Sequence, residues 1–230
     1  MYLGIDVGGT NLVAGLVDRE GRLGHKTSCP VDKSWSAGEL AHRLAQLSLR
    51  ALQEGGVPLE ELEAVGVGVP GLVNDVEGVV VKTPNLPFRD TPFRALFQED
   101  LNRPVFLGND ADCAAAGEYW SGAAKGCDPV VMITLGTGIG SGLVRGGKLY
   151  TGMGGAGMEA GHLITHPNGR QCGCGGRGCW EQYGSATALI QMTRTAMEGA
   201  KQSLLWEVCG GDLNKVEGRT AFQAAREGDA

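Results

Sequence analysis

The apolar positions of this chain fall mostly into short runs that end in glycine, separated by a few stretches with helical spacing. Residues 2–7 (YLGIDV) form a brief apolar run closed by Asp6 and two glycines. Residues 11–18 (NLVAGLVD) alternate loosely, and a turn at 21–23 leads into more extended chain. Alternation sends successive side chains to opposite faces of a sheet, so the opening predicts an antiparallel meander. Residues 36–54 repeat apolar side chains at Leu40, Leu44, Leu47 and Ala51 behind Ser36, which predicts one helical face after an N-cap. The stretch 64–71 (AVGVGVPG) predicts a buried strand ending in a glycine–proline turn. A second extended pair follows, then a helix over 92–101 and another buried strand over 104–110 (PVFLGND).

The second half opens as the first does. Residues 128–152 (DPVVMITLGTGIGSGLVRGGKLYTG) predict strand, glycine turn, strand, tight turn and strand, matching the order of MYLGIDVGGTNLVAGLVDREGRLGH at the N-terminus. A duplicated glycine-rich hairpin predicts two similar α/β domains, residues 1–107 and 108–230, each presenting its turn to a shared cleft. Helices are expected over 185–200 and 217–228 with no strand after them. A second domain built like the first needs more elements than these, so the larger domain is expected to be C-terminally incomplete.

Composition narrows the class. Glycine supplies 39 of 230 residues, more than twice the usual level of roughly 7 percent, without a collagen period. It clusters at DVGGTN, GVGVPG, LGTGIGSG and GMGGAG, where backbone must turn sharply or approach a ligand. A net charge of −6 gives no electrostatic footprint for nucleic acid or an anionic membrane. The N-terminus has no basic stretch followed by an apolar core, so no signal peptide is expected, and no apolar run reaches membrane-spanning length. Seven cysteines, with Cys29, Cys113, Cys127 and Cys209 standing alone, suit a reducing cytoplasm better than a disulfide framework.

Three groups of residues carry candidate chemistry. DVGGTN offers a carboxylate, Asp6, beside backbone N–H donors unshielded by side chains. Such a turn can cradle phosphate while the carboxylate holds Mg²⁺, and GTGIGSG could hold the same phosphate chain. Neither turn by itself outweighs an ordinary β-turn, but their pairing does, and neither is a P-loop. In GNDADCAAAGE, Asn109 or Asp110 is expected to cap a helix, which taken alone is the simpler reading. Asp110 also falls at the carboxyl end of a strand, where open α/β sheets bind ligands and where a carboxylate could take a proton from an attacking hydroxyl.

The third group is GRQCGCGGRGCWEQ. Cysteines one residue apart rarely reach disulfide geometry, but His162, Cys172, Cys174 and Cys179 supply a complete Cys₃His set for structural zinc. The spacing is not that of a DNA-reading finger. Glu159 lies one helical turn before His162, and Glu181 two residues after Cys179. A loop wrapped on zinc would therefore gather two carboxylates and an imidazole toward one polyol.

Taken together, DVGGTN, GVGVPG, TPNLPF, GNDADCAAAGE, LGTGIGSG, EAGH and CGCGGRGCWE resemble the ROK family of sugar kinases and sugar-responsive repressors. The likeness runs in order from residue 2 to about residue 190. It implies an actin-like ATPase (ribonuclease H-like) α/β fold with two domains around a cleft, a structural Zn²⁺, and Mg²⁺ with ATP. By this resemblance Asp110 is the catalytic base. Asn85, Asn109, Asp110, Glu159, His162 and Glu181 contact the sugar, and Asp6, Gly8, Gly9, Thr10, Gly136, Thr137 and Gly138 embrace the phosphates. The implied reaction is transfer of the γ-phosphate of ATP to a hexose hydroxyl, with glucose 6-phosphate the first candidate product and polyphosphate a second candidate donor. The expected setting is cytoplasmic, and relatives of this kind form homodimers or homotetramers. The competing readings are a sugar-binding remnant without activity, and a sugar-responsive regulator lacking its DNA-binding domain. Relatives are longer than this chain, so the adenosine-binding segment is expected to be missing.

Overall fold

The computed structural model describes residues 1–229. Among the described residues it has eleven strands and seven α-helices. Strands β1 (Tyr2–Val7), β2 (Asn11–Val17) and β3 (Leu23–Pro30) form the opening meander. Helix α1 (Ala37–Glu54) follows, with Ser36 as its cap. The Glu39 N–H donates to Ser36 Oγ at 3.3 Å, and Ser36 N–H donates back to Glu39 Oε2 at 2.8 Å. This reciprocal pair satisfies donors that a helix start otherwise leaves orphaned.

Next come β4 (Ala64–Val69), β5 (Leu72–Asn74), β6 (Val79–Lys82) and β7 (Arg89–Thr91), then α2 (Phe93–Leu101). β5–β6–β7 is a three-stranded antiparallel sheet where the sequence predicts only an extended pair. The third strand arises because Thr83 Oγ1 donates to the Leu86 carbonyl at 2.7 Å, folding 83–88 back so that Arg89–Thr91 returns along β6.

β8 (Val105–Asn109) and α3 (Asp110–Trp120) complete the first set of elements. β9 (Val130–Leu135), β10 (Ile139–Arg145) and β11 (Lys148–Leu149) make a sheet of order β11–β10–β9. The remainder is helical: α4 (Glu181–Gly184), α5 (Ala186–Gly199), α6 (Leu205–Val208) and α7 (Thr220–Arg226).

The chain divides into two compact units. The first comprises Met1–Met132 and Ser141–Met158; the second comprises Ile133–Gly140 and the chain from Glu159 onward. The first is built on a five-stranded sheet of order β3–β2–β1–β4–β8, in which β1, β4 and β8 run parallel. Its core joins Leu3, Ile5 and Val7 of β1 to Leu40 and Leu44 of α1 and Phe93 and Phe97 of α2, all buried. Phe93 packs edge-on against Phe88 at 5.3 Å between centroids and stacks on Phe97 at 5.7 Å.

The second unit has a smaller core around Met197, Cys209 and Val216. All seven cysteines are thiols rather than disulfides. No helix among the described residues is long and apolar enough to cross a membrane.

Candidate functional site

In the first unit, the parallel register brings candidate residues to one edge of the sheet. Asp6 of β1 pairs with Gly68 of β4, and Gly68 pairs with Gly108 of β8. Three carboxyl-terminal strand ends therefore lie side by side, the position at which open α/β sheets bind ligands. The two glycines let α3 pack closely on the sheet: a Cβ on Gly68 would touch the Cα of Asp110 at 3.6 Å, and one on Gly108 would come within 2.8 Å of Cys113 Sγ.

β8 passes directly into α3, and Asn109 is the cap. Its Oδ1 accepts from the N–H groups of Ala111 at 2.8 Å and Asp112 at 3.3 Å, while Nδ2 donates to the Gly71 carbonyl at 3.0 Å. Capping by Asn109 leaves Asp110 as the first helical residue, exposed, with Oδ1 accepting from the Ala111 N–H at 2.9 Å. Partial burial, and then the nearby negative charge of Asp110, raise the carboxyl pKa of Asp6 above its ordinary 3.8. Burial and the charges of Asp112, Asp110 and Asp6 push the Cys113 thiol up to about 11, so it stays protonated. No motif in the sequence marks Cys113; the packing of α3 on the sheet sets its side chain against Gly68 and Gly108.

The hairpin turn between β1 and β2 lies within the same unit. Gly8 N–H donates to the Asn11 carbonyl at 3.0 Å, and a Cβ on Gly8 would come within 2.7 Å of that oxygen. A Cβ on Gly9 would touch the Cβ of Asn85 at 3.6 Å. The turn and the Asn85 loop are thus neighbours, and Thr10 is exposed beside them. The chemistry of this donor set, crowded carboxylates next to a glycine turn, fits Mg²⁺ with a phosphate chain.

In the second unit, the turn at Gly136–Gly138 closes on itself, with Gly136 N–H donating to the Gly138 carbonyl at 3.0 Å. Thr137 is exposed at its tip. Two bonds from the region of α4 hold the turn. Ala186 N–H donates to the Gly136 carbonyl at 2.9 Å, and Ile139 N–H donates to Glu181 Oε2 at 3.0 Å.

The Cys₃His group converges as the spacing predicts, with the ligand atoms of His162, Cys172, Cys174 and Cys179 all within 4.8 Å of one another. His162 Nδ1 lies 3.6 Å from Cys172 Sγ, and Cys174 Sγ lies 3.7 Å from Cys179 Sγ. A tetrahedral zinc with bonds of about 2.3 Å requires sulfurs roughly 3.8 Å apart, so the set fits the ion. The Gly176 N–H, which points at Cys174 Sγ from 3.4 Å, lowers that thiol's pKa. Burial, reinforced by the crowded neighbouring thiols, pushes Cys179 up to about 12. A bound zinc ion would stabilise these thiols as thiolates.

Glu159 is exposed where it caps a 3₁₀ turn, Ala160–His162, in which residues three apart eclipse. A clamp that sequence reasoning missed fixes the loop: His166 stacks on Tyr183 at 3.9 Å between ring centroids, with the Arg170 guanidinium 5.0 Å from the centre of the same ring. Nothing in the spacing of these three residues signals the stack.

Comparison with known proteins places this geometry. A family profile described as ROK family matches residues 2–230. A curated relative, the glucokinase of Thermotoga maritima, is 37% identical over 228 residues, covering 99% of this chain and 70% of its own length. A crystal structure of a ROK family glucokinase from Streptomyces griseus in complex with glucose and AMPPNP superposes with a TM-score of 0.80 at 36% identity, covering 99% of this chain and 72% of that one. The xylose repressor of Bacillus subtilis is 42% identical over 134 residues, 58% of this chain and 35% of the repressor. The fold is accordingly the actin-like ATPase α/β fold, and the chain belongs to the ROK family.

Proposed function

We propose that this protein is an ATP-dependent sugar kinase that transfers the γ-phosphate to a hexose hydroxyl, with glucose, at its 6-hydroxyl, the first substrate to test. The observation that carries the reading is that Asp6 and Asp110 sit at the carboxyl ends of β1 and β8, parallel strands on either side of β4, close enough for the charge of Asp110 to act on Asp6. The similarity to glucokinases from several bacteria supports it.

In this reading Asp110 is the general base. It hydrogen-bonds the sugar hydroxyl and takes its proton as the bond to phosphorus forms. Asn85, Asn109, Glu159, His162 and Glu181 are the candidate contacts to the sugar hydroxyls. The backbone amides at Gly8, Gly9 and Thr10 and at Gly136, Thr137 and Gly138 hold the phosphates. Asp6 would hold Mg²⁺ carried with the nucleotide, and the ion would supply charge neutralisation on the phosphates. His162, Cys172, Cys174 and Cys179 would hold zinc as a structural ion, since four protein ligands would leave no open position.

A second reading, sugar binding without phosphoryl transfer, is favoured by the stretch shared with xylose repressors. One experiment separates the two. ADP release with Mg-ATP and a panel of hexoses, run beside Asp110→Asn, shows sugar-dependent turnover that the substitution abolishes if the chain is a kinase. Saturable sugar binding with no turnover in either protein identifies a binding module.

A further inference from the structure

We propose that Glu181 is a positioning residue for the turn at residues 136–139, and that through it the state of the Cys₃His loop sets the geometry of that turn. The link is short and continuous. Cys179, one of the four metal-ligand candidates, is two residues before Glu181. Glu181 opens α4, and its Oε2 accepts the Ile139 N–H at 3.0 Å.

Gly138 is shaped to that carboxylate, since a Cβ there would lie 2.1 Å from Glu181 Oε2. The far end of the same short segment returns to the turn, where Ala186 N–H donates to the Gly136 carbonyl at 2.9 Å. The other side of the metal group approaches the turn as well. Gly161, immediately before His162, packs so closely on Ile139 that a Cβ would meet the Ile139 carbonyl oxygen at 2.2 Å. The turn is therefore gripped at Gly136, Gly138 and Ile139 by residues whose own placement depends on the loop that carries the cysteines.

Besides the His166–Tyr183–Arg170 stack, the loop is held by short-range hydrogen bonds. It contributes two isolated bridges rather than strands, Ile164 with Cys179 and Gln171 with Arg177, and it has no large apolar cluster of its own among the described residues. Metal-dependent order in such a segment passes directly to whatever it grips. Glu181 remains a sugar ligand in the kinase reading; the added role belongs to Oε2 and the backbone of the turn. The inference rests on that reading only where it assigns phosphate to the turn.

Amide hydrogen exchange tests the link without any turnover. In the zinc-loaded chain the Ile139 amide is protected. On stripping the metal, or in Glu181→Ala with zinc still bound, it exchanges at least ~10-fold faster, while the β1 and β2 amides keep their protection. Glu181→Gln, whose side-chain carbonyl can still accept from Ile139, retains the protection. Should stripping also expose the α5 amides, the unit has lost more than the loop, and the two zinc-loaded variants decide the question. Unchanged Ile139 exchange in zinc-loaded Glu181→Ala, or loss of protection in Glu181→Gln equal to that in Glu181→Ala, overturns the proposal.

Calorimetric affinity for Mg-ADP reads the functional consequence and is expected to fall about 10-fold in Glu181→Ala relative to Glu181→Gln. Altered exchange with unaltered ADP affinity upholds the link and removes phosphate from the turn, so failure of the inference and failure of the kinase reading are distinguishable.

Discussion

Asp6 and Asp110, separated by more than a hundred residues of sequence, are close enough for the negative charge of Asp110 to raise the carboxyl pKa of Asp6. Two carboxylates held near one another are costly until a cation or a proton joins them, and such sites are where function concentrates. Asp110→Asn should therefore do two things. It should cut sugar-dependent turnover by about 10²–10⁴-fold, the usual worth of a general base. It should also bring the Asp6 titration, followed by carboxyl-carbon NMR, back toward 3.8.

Asp6→Asn gives a stability test with a defined sign. A carboxyl whose pKa is raised by folding opposes folding once it ionises, so its cost is present above the folded pKa and absent below the unfolded value of 3.8. The variant should melt higher than the parent at pH 7, with the difference vanishing as the pH falls to about 3. It should also lose Mg-nucleotide binding. Equal melting temperatures at both pH values would contradict the account.

Glu63 behaves in the opposite sense. Hydrogen bonds from Arg19 and the N-terminal ammonium hold its carboxyl at about 2. The stability this contributes is complete above the unfolded value of 4.5 and is lost as the pH falls toward about 2. Glu63→Gln should be less stable than the parent at pH 7, and the gap should narrow through that window. Because the pair is exposed, added salt should shrink the gap as well.

The metal group admits a direct test. Cys174→Ser should bind less than one zinc per chain and lose sugar affinity with it, measured by metal analysis and sugar titration on the same sample. Retained sugar affinity without metal would refute a shared loop. Gly178→Ala perturbs the loop by another route. Its φ of +80° is left-handed, and a Cβ would fall 1.7 Å from the His166 carbonyl oxygen. The backbone alone costs about 1–2 kcal/mol there, and weakened metal retention should accompany it.

Phe93→Ala probes the core of the first unit. The ring is fully buried between Phe88 and Phe97, so its removal should cost roughly 3–5 kcal/mol in denaturant unfolding. Zinc binding in the second unit should survive, because its four ligands belong to that unit.

The sequence by itself determined whatever depends on residues close in the chain. The Ser36–Glu39 capping box, the apolar face of α1, the glycine turns at residues 8–9 and 136–138 and the Cys₃His set are local patterns, and the described structure contains each of them. Short-range spacing settles such features because few backbone angles lie between the partners.

Only the tertiary structure decided the rest. The strand order β3–β2–β1–β4–β8 and its parallel register put Asp6 in line with Gly68 and Gly108. Packing made Asn109 the helix cap, fastened by the Gly71 carbonyl, and left Asp110 at the exposed first position. Glu181 reached the Ile139 amide across 42 residues, and His166 found Tyr183. These partners are set by how strands cross and where loops return, and a parallel crossover leaves no short-range trace of which residues it will align.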